Sequence, residues 1–288
     1  MNKIIHIILI SIISLTVISC AKKSDSSSTT SSGLFVVVGD SGTILTSSDG
    51  TTWTSRTSGT SNGLYNIFYG NSTIVAVGGS GTILTSSDGT TWTSRTSGTS
   101  ENLYGITYGN STFVVVGDND SGSVGTILTS SDGITWVSRT SGTTNDLWDV
   151  NYGNNTFVAS DSTGGIITSS DGISWTSRVG IDTYGIWGGA YGNSKFVVGS
   201  TYGYIFTSSD GTSWNNVISR SANALNDVVY ENSTFVAVGV NGTIQTSSDG
   251  TSWTLKNTGV TTDFYGITYG NSIWVIVGES GIIYTSDG

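Results

Sequence analysis

The chain has 288 residues with 40 glycines, nine tryptophans, no proline, one cysteine and a formal net charge of −10. So acidic a chain offers no basic surface to phosphates, which excludes nucleic acid as a partner class, and a single cysteine excludes an internal disulfide framework. The one histidine is His6, so the body of the chain has no imidazole for a catalytic triad or a common metal site.

In chain order, residues 1–19 read as an export signal. Met1-Asn2-Lys3 is a short basic start, and Ile4 to Ile18 is almost wholly apolar but too short for a span of about 20 residues. The segment closes on Val17-Ile18-Ser19-Cys20, which resembles the lipobox of bacterial lipoproteins. That resemblance implies cleavage before Cys20 and a diacylglycerol on its thiol, hence a membrane partner through a lipid anchor. Ala21 in place of aspartate resembles the outer-membrane sorting pattern of Gram-negative lipoproteins. Lys22 to Ser32 has no large apolar residue and cannot bury enough surface to order itself. The expected organisation is a signal peptide over 1–19, a lipidated Cys20 with a Ser/Thr tether over 20–32, and a folded body over 33–288.

The body is an internal repeat. Trp53, Trp92, Trp136, Trp175, Trp214 and Trp253 are spaced 39, 44, 39, 39 and 39 residues apart, and each follows a Ser-Ser-Asp-Gly phrase. The long spacing comes from five extra residues between Val116 and Gly125. Within a unit, four β-type segments alternate with turn formers; in the second they are Leu64 to Tyr69, Thr73 to Val77, Thr82 to Ser86 and Thr91 to Arg95. Runs such as Phe113-Val114-Val115-Val116 suit a strand covered on both faces. Four antiparallel strands per repeat of about 40 residues predict an all-β fold, a β-propeller of four-stranded blades. Lettering the strands A to D from the channel outward, B and C recur seven times but A and D only six. Seven blades are expected, the first without its inner strand and the last without its outer one. An eighth stays open if the chain is truncated at Thr285-Ser286-Asp287-Gly288.

The phrase Ser-Ser-Asp-Gly-Thr-Thr-Trp resembles the Asp-box (BNR-like repeat) of sialidase-like propellers and of the photosystem II stability/assembly-factor family, with one residue fewer between Asp and Trp. The resemblance covers Gly33 to Gly288 and implies a folding role for Asp49, Asp88, Asp132, Asp171, Asp210 and Asp249. Sialidase chemistry would further require converging arginines, but Arg56, Arg95, Arg139 and Arg178 all stand three residues after a box tryptophan, a repeat position on an outer strand. Glutamates are limited to Glu101, Glu231 and Glu279, with no glycosidase signature. No enzymatic activity, catalytic residue or cofactor is expected.

The units differ most in their B-to-C and D-to-A loops, expected on the face opposite the boxes. These carry Asp40, Asp118, Asp120, Asp161, Tyr202 and Glu279, with Glu101, Asp146, Asp182 and Asp263 beside them. They form a candidate acidic face for an unidentified protein or glycan. Asp118-Asn119-Asp120-Ser121-Gly122 is similar to the start of a calcium loop but lacks the rest, and no metal is expected. Tyr65, Tyr104, Trp148, Trp187 and Tyr265 share one register of the inner strands, with Asn226 the exception. Inter-blade core is their expected place, a sugar-stacking mouth the alternative. The expected function is a non-catalytic scaffold of the cell envelope, a sialidase-like hydrolase or glycan-binding module being the alternative.

Overall fold

The computed structural model describes residues 6–9, 17–23, 33–119, 122, 124–178, 180–181 and 185–287. They form seven four-stranded antiparallel sheets arranged as the blades of one ring. Blade 2 is typical, with strands Leu64–Gly70, Thr73–Gly78, Ile83–Ser86 and Thr93–Arg95 running from the channel outward. A and B are joined by a two-residue turn whose Asn71 and Ser72 have φ of 46° and 59°. Both signs are positive, as a tight hairpin requires to match strand twist.

A blade is one sheet thick, so strand B must be apolar on both faces. Phe35 and Val37 of blade 1 pack with Val275, Val277 and Ile283 of blade 7, whereas Val36 and Val38 pack with Leu64, Ile67 and Ile74 of blade 2. Seven such clusters fill the seven seams. Burying one such side chain contributes about 1.5–3 kcal/mol, so the ring gains its stability mainly between blades and only when closed.

Closure departs from the sequence expectation. Val17–Lys23 supplies the inner strand of blade 1, and His6–Leu9 supplies the outer strand of blade 7, pairing with Ile282–Ser286. Among the described residues every one of the seven blades has four strands. The physical reason is that an Ile/Val-rich run that suits an export signal is equally suited to a strand, and two open sheet edges lay within its reach. Blades 7 and 1 also meet without these strands. The Asn271 amide donates to the carbonyls of Gly33 (3.1 Å) and Ser48 (2.9 Å), and its Oδ1 accepts the Gly33 N–H at 3.2 Å.

The repeated Ser-Asp-Gly turn between C and D is a closed hydrogen-bond set. In blade 2, Asp88 Oδ1 accepts the N–H groups of Thr90 and Thr91 at 2.8 and 2.9 Å. Ser86 Oγ accepts the Gly89 N–H at 2.8 Å and donates to Asp88, while Trp92 Nε1 donates to the Gly89 carbonyl at 3.1 Å. Gly89 has φ of +75°, and a Cβ there would lie 2.5 Å from Leu34 Cδ2 of the neighbouring blade, so glycine is required twice over. Ser86→Ala, which leaves the buried Gly89 N–H without its acceptor, is expected to cost about 1–3 kcal/mol. The check is a urea titration, where the midpoint should fall with unchanged slope.

Candidate functional site

The two faces of the ring are chemically unlike. Strand A ends where strand C turns, so the A-to-B and C-to-D turns share one face and the B-to-C and D-to-A loops share the other. Contacts show the division: Asn71 Nδ2 donates to the Ser131 carbonyl of the next blade's Ser-Asp-Gly turn at 3.4 Å, and Asp118 accepts the Asn102 N–H at 2.8 Å. On the rim, Arg56, Arg95, Arg139 and Arg178 each donate from Nε to a threonine of their own strand C, at 2.8–2.9 Å. Lys195 Nζ donates to the Asp249 carbonyl on the Ser-Asp-Gly face, and Arg220 Nε to the Trp253 carbonyl on an outer strand. The arginines are thus spread around the ring and converge on nothing.

The candidate residues of the loop face divide in two. Asp118 and Asp161 are buried, and their carboxylates are engaged in holding loops. Asp118 accepts Asn102 Nδ2 at 2.8 Å and the Tyr104 hydroxyl at 3.3 Å. Asp161 accepts the N–H groups of Thr163 and Gly165 at 2.8 and 2.7 Å, and Asn145 Nδ2 at 2.8 Å. Neither presents its charge to a partner, which corrects their place among the face candidates. Asp40 is half-buried, while Glu279 and Tyr202 are exposed. Asp120 and Asp182 lie outside the described residues. Among the described residues no group of three or more His, Cys, Asp or Glu could hold a metal ion.

Along the ring axis runs a channel of about 1240 Å³. Its mouth on the loop face is lined by the inner-strand aromatics. Tyr65 and Tyr104 stack at 5.5 Å and 29°, and Trp148 and Trp187 approach to 4.3 Å at 37°. Trp187 is 46% exposed, so this course is not inter-blade core as expected. A register shift in every inner strand, such as that between Leu147 and Asp149, explains the difference: the bulge breaks the alternation that would have buried these rings. Blade 6 interrupts the course with Asn226, whose Nδ2 donates to the Phe264 carbonyl of blade 7 at 2.7 Å. Burial pushes the Tyr104 hydroxyl up to about 12, with the Asp118 carboxylate adding to the shift. Tyr265 is raised by burial and then by Asp263, Glu279 and Asp40, which bring three loop carboxylates to this mouth.

One residue inward stands a pair that sequence reasoning missed. At the register of Asn66, Gly105, Gly188 and Gly266, blades 4 and 6 carry Asp149 and Asp227. Asp227 Oδ2 accepts the Ile267 N–H of blade 7 at 2.9 Å, and Asp149 Oδ2 accepts Asn151 Nδ2 at 2.7 Å. The Gly189 N–H of blade 5 lies close enough to Asp149 to favour its charged form. Both side chains touch the channel and are half-buried by surface area, yet the ring encloses them and keeps bulk water remote. Burial therefore raises Asp149 to about 6, while burial and then repulsion from Asp149 raise Asp227 to about 7. The legible signal was an aspartate where blades 3, 5 and 7 have glycine.

The chain matches no family model and no curated protein sequence. Solved structures share its fold across nearly the whole length. YCF48 from Cyanidioschyzon merolae is 16% identical with a TM-score of 0.74, covering 98% of both chains. Virginiamycin B lyase from Staphylococcus aureus is 10% identical with a TM-score of 0.83, covering 99% of each. A structure of YCF48 bound to D1 peptide is 19% identical with a TM-score of 0.74, covering 99% of this chain and 97% of that one. One fold thus serves a lyase and a peptide-bound protein, and at these identities the likeness carries the fold alone.

The two sets of aspartates make opposite contributions to stability. The turn aspartates are held below the ordinary carboxylate range by backbone N–H donors, Asp132 at about 2, so their contribution is complete above about pH 4 and is lost as pH falls through their folded values. Asp149 and Asp227 are raised, so the folded state binds more protons than the unfolded chain from about pH 4 to their folded values, and stability falls as pH rises through that window. Maximum stability is expected at about pH 4, where the first contribution is complete and the second has only begun to fall. In thermal melts across pH 3–8, Asp149→Asn with Asp227→Asn should flatten the alkaline decline and leave the acid limb unchanged.

Proposed function

We propose that this protein is a non-catalytic scaffold, held to the cell envelope by a lipid on Cys20, that binds a protein partner with its loop face and channel mouth. The observation that carries the reading is the convergence of a half-buried aromatic course, with Trp187 exposed, and the carboxylates of Asp40, Asp263 and Glu279 at one mouth, while cations stand on the rim and the opposite face. Such a surface attracts a cationic partner over a range set by screening, about 8–10 Å at ordinary ionic strength. The solved structure of YCF48 bound to D1 peptide gives a precedent for a peptide partner on this fold. A second reading, glycan binding, is favoured by the exposed Trp187 beside Trp148, an apolar platform that suits a sugar ring. The hydrolase form of that reading lacks its carboxylate clamp, since the repeat-position arginines are dispersed on the rim.

Capture from envelope extract by the purified full chain tests the scaffold. Asp40→Asn with Glu279→Gln should reduce capture, and salt should weaken wild-type capture, whereas Arg56→Gln with Arg95→Gln should change little. The reverse ranking would move the binding surface to the rim.

The anchor is tested separately. Intact mass of the processed protein should begin at Cys20 with the lipid attached, and Cys20→Ser should block both lipidation and processing. Processing of this kind removes His6–Leu9 from the edge of blade 7 and Val17–Ser19 from the inner strand of blade 1, leaving the Asn271 contacts and the seam cluster to join the last blade to the first. An unmodified Cys20 in processed wild-type protein rejects the anchor.

A further inference from the structure

The strand Ile186–Gly192 of blade 5 sits between the two channel aspartates. On one side a Cβ added at Gly189 would lie 3.0 Å from Asn151 Nδ2 of blade 4, the donor to Asp149; on the other, a Cβ added at Gly188 would lie 2.7 Å from the Asn226 carbonyl oxygen and 2.8 Å from Asp227 Cα. Trp187 therefore stands at the mouth beside Asn226-Asp227, at the place where blade 6 omits the aromatic that four other blades carry. One flank of Trp187 is taken by Trp148, and nearly half of its surface stays open. Beyond the interruption the next ring is Tyr265 of blade 7. The result is a slot with an indole wall, an amide and a carboxyl beneath, and a second carboxyl across the same strand.

Neither aspartate has a basic partner among the described residues, and their polar contacts are N–H donors alone. Titratable groups on the strands packed against them are the tyrosines Tyr104 and Tyr108, Tyr191, and Tyr265 and Tyr269, with Lys195 on the B strand of blade 5, whose Nζ donates to the Asp249 carbonyl on the Ser-Asp-Gly face; on their own strands they are Tyr152, Tyr230 and Glu231, and on the adjacent B strand of blade 4, Asp161. Glu231 ends its strand on the Ser-Asp-Gly side, and Lys22 and Lys23 stand at that same end of the blade 1 inner strand, opposite Phe35 and Leu34. Among the described residues the slot thus has acceptors and an aromatic face, and neither aspartate has an ion pair with a cation. A neutral sugar uses the face and the acceptors but leaves their charge uncompensated, whereas a planar cation uses both the face and the charges.

We propose that this slot receives the guanidinium of an arginine from the partner polypeptide, stacked on Trp187 and hydrogen-bonded to the Asp227 and Asp149 carboxyls. The inference rests on the scaffold reading above and names the chemistry its partner must present. Arginine is favoured over lysine because its flat fork can stack and donate to two carboxyls at once.

Calorimetric titration of the full chain with a blocked pentapeptide bearing a central arginine tests it, against the same peptide with lysine or with citrulline. The arginine peptide should bind best and the citrulline peptide, equal in shape but neutral, at least about tenfold more weakly. Asp227→Asn, which keeps an acceptor for the Ile267 N–H, and Trp187→Ala should each weaken arginine binding by about tenfold or more, with Trp187→Phe recovering part of the loss. Wild-type affinity should rise from pH 5.5 to 8, and the Asp149→Asn, Asp227→Asn variant should lose that rise. Equal binding of arginine and citrulline peptides, a pH-independent affinity, or variants that bind as wild type does overturns the slot, as does stronger binding of an oligosaccharide at Trp187. An envelope partner retained at full strength by Asp227→Asn and Trp187→Ala overturns the slot and leaves the scaffold standing. Arginine-peptide binding with no partner captured supports the slot and defeats the scaffold.

Discussion

Every blade of this ring is a single sheet with two apolar faces, and neither face can be satisfied within the blade. Phe35 and Val37 look one way and Val36 and Val38 the other, so each seam is completed by a residue set from the next repeat. Stability is therefore shared around the circle, and the Asn271 contacts at the junction of blades 7 and 1 matter out of proportion to their number. A ring so constrained leaves little freedom at its inner edge, which is why side chains on the inner strands keep fixed positions around the channel.

The same inner edge explains where charge can sit. Inner strands approach closely enough that a Cβ at Gly105 would lie 2.9 Å from Asp149 Cα, and one at Gly188 falls 2.8 Å from Asp227 Cα. Glycine in blades 3 and 5 thus makes room for aspartate in blades 4 and 6, an alternation with a period of two blades laid over a repeat of one. Asp227 then reaches forward to the Ile267 N–H of the following blade and Asp149 is held by Asn151 of its own, and both stay half-open to the channel. Partial compensation of this kind leaves buried charge that an incoming cation can relieve.

The strand content, the turns and the seven-fold ring were legible because they repeat: a period near 39 residues, a tryptophan and a Ser-Ser-Asp-Gly phrase in each unit, and two-faced apolar runs for strand B. What was not legible lies where one residue escapes its pattern. The bulge that turns Tyr65 and Trp148 toward the channel leaves no mark in alternation counts. Asp118 and Asp161 read like Asp40 and Glu279 until their loops are seen to close on them. The strands Val17–Lys23 and His6–Leu9 were hidden because hydrophobic, β-branched sequence serves export and sheet edges alike.

The stretches Gly42–Ser61 and Gly81–Ser100 are identical in all their residues. Together they span strand C, the turn, strand D and the start of the following loop in blades 1 and 2. Either copy can complete either blade with every local contact preserved, so during folding the two compete for the same docking edge. Discrimination falls to the segments that differ, Phe35-Val36-Val37-Val38 against Ile74-Val75-Ala76-Val77, through the fit of phenylalanine or isoleucine under the turn tryptophan. In two chains the same exchange would link molecules blade for blade, which makes domain swapping the characteristic hazard of refolding this repeat at high concentration.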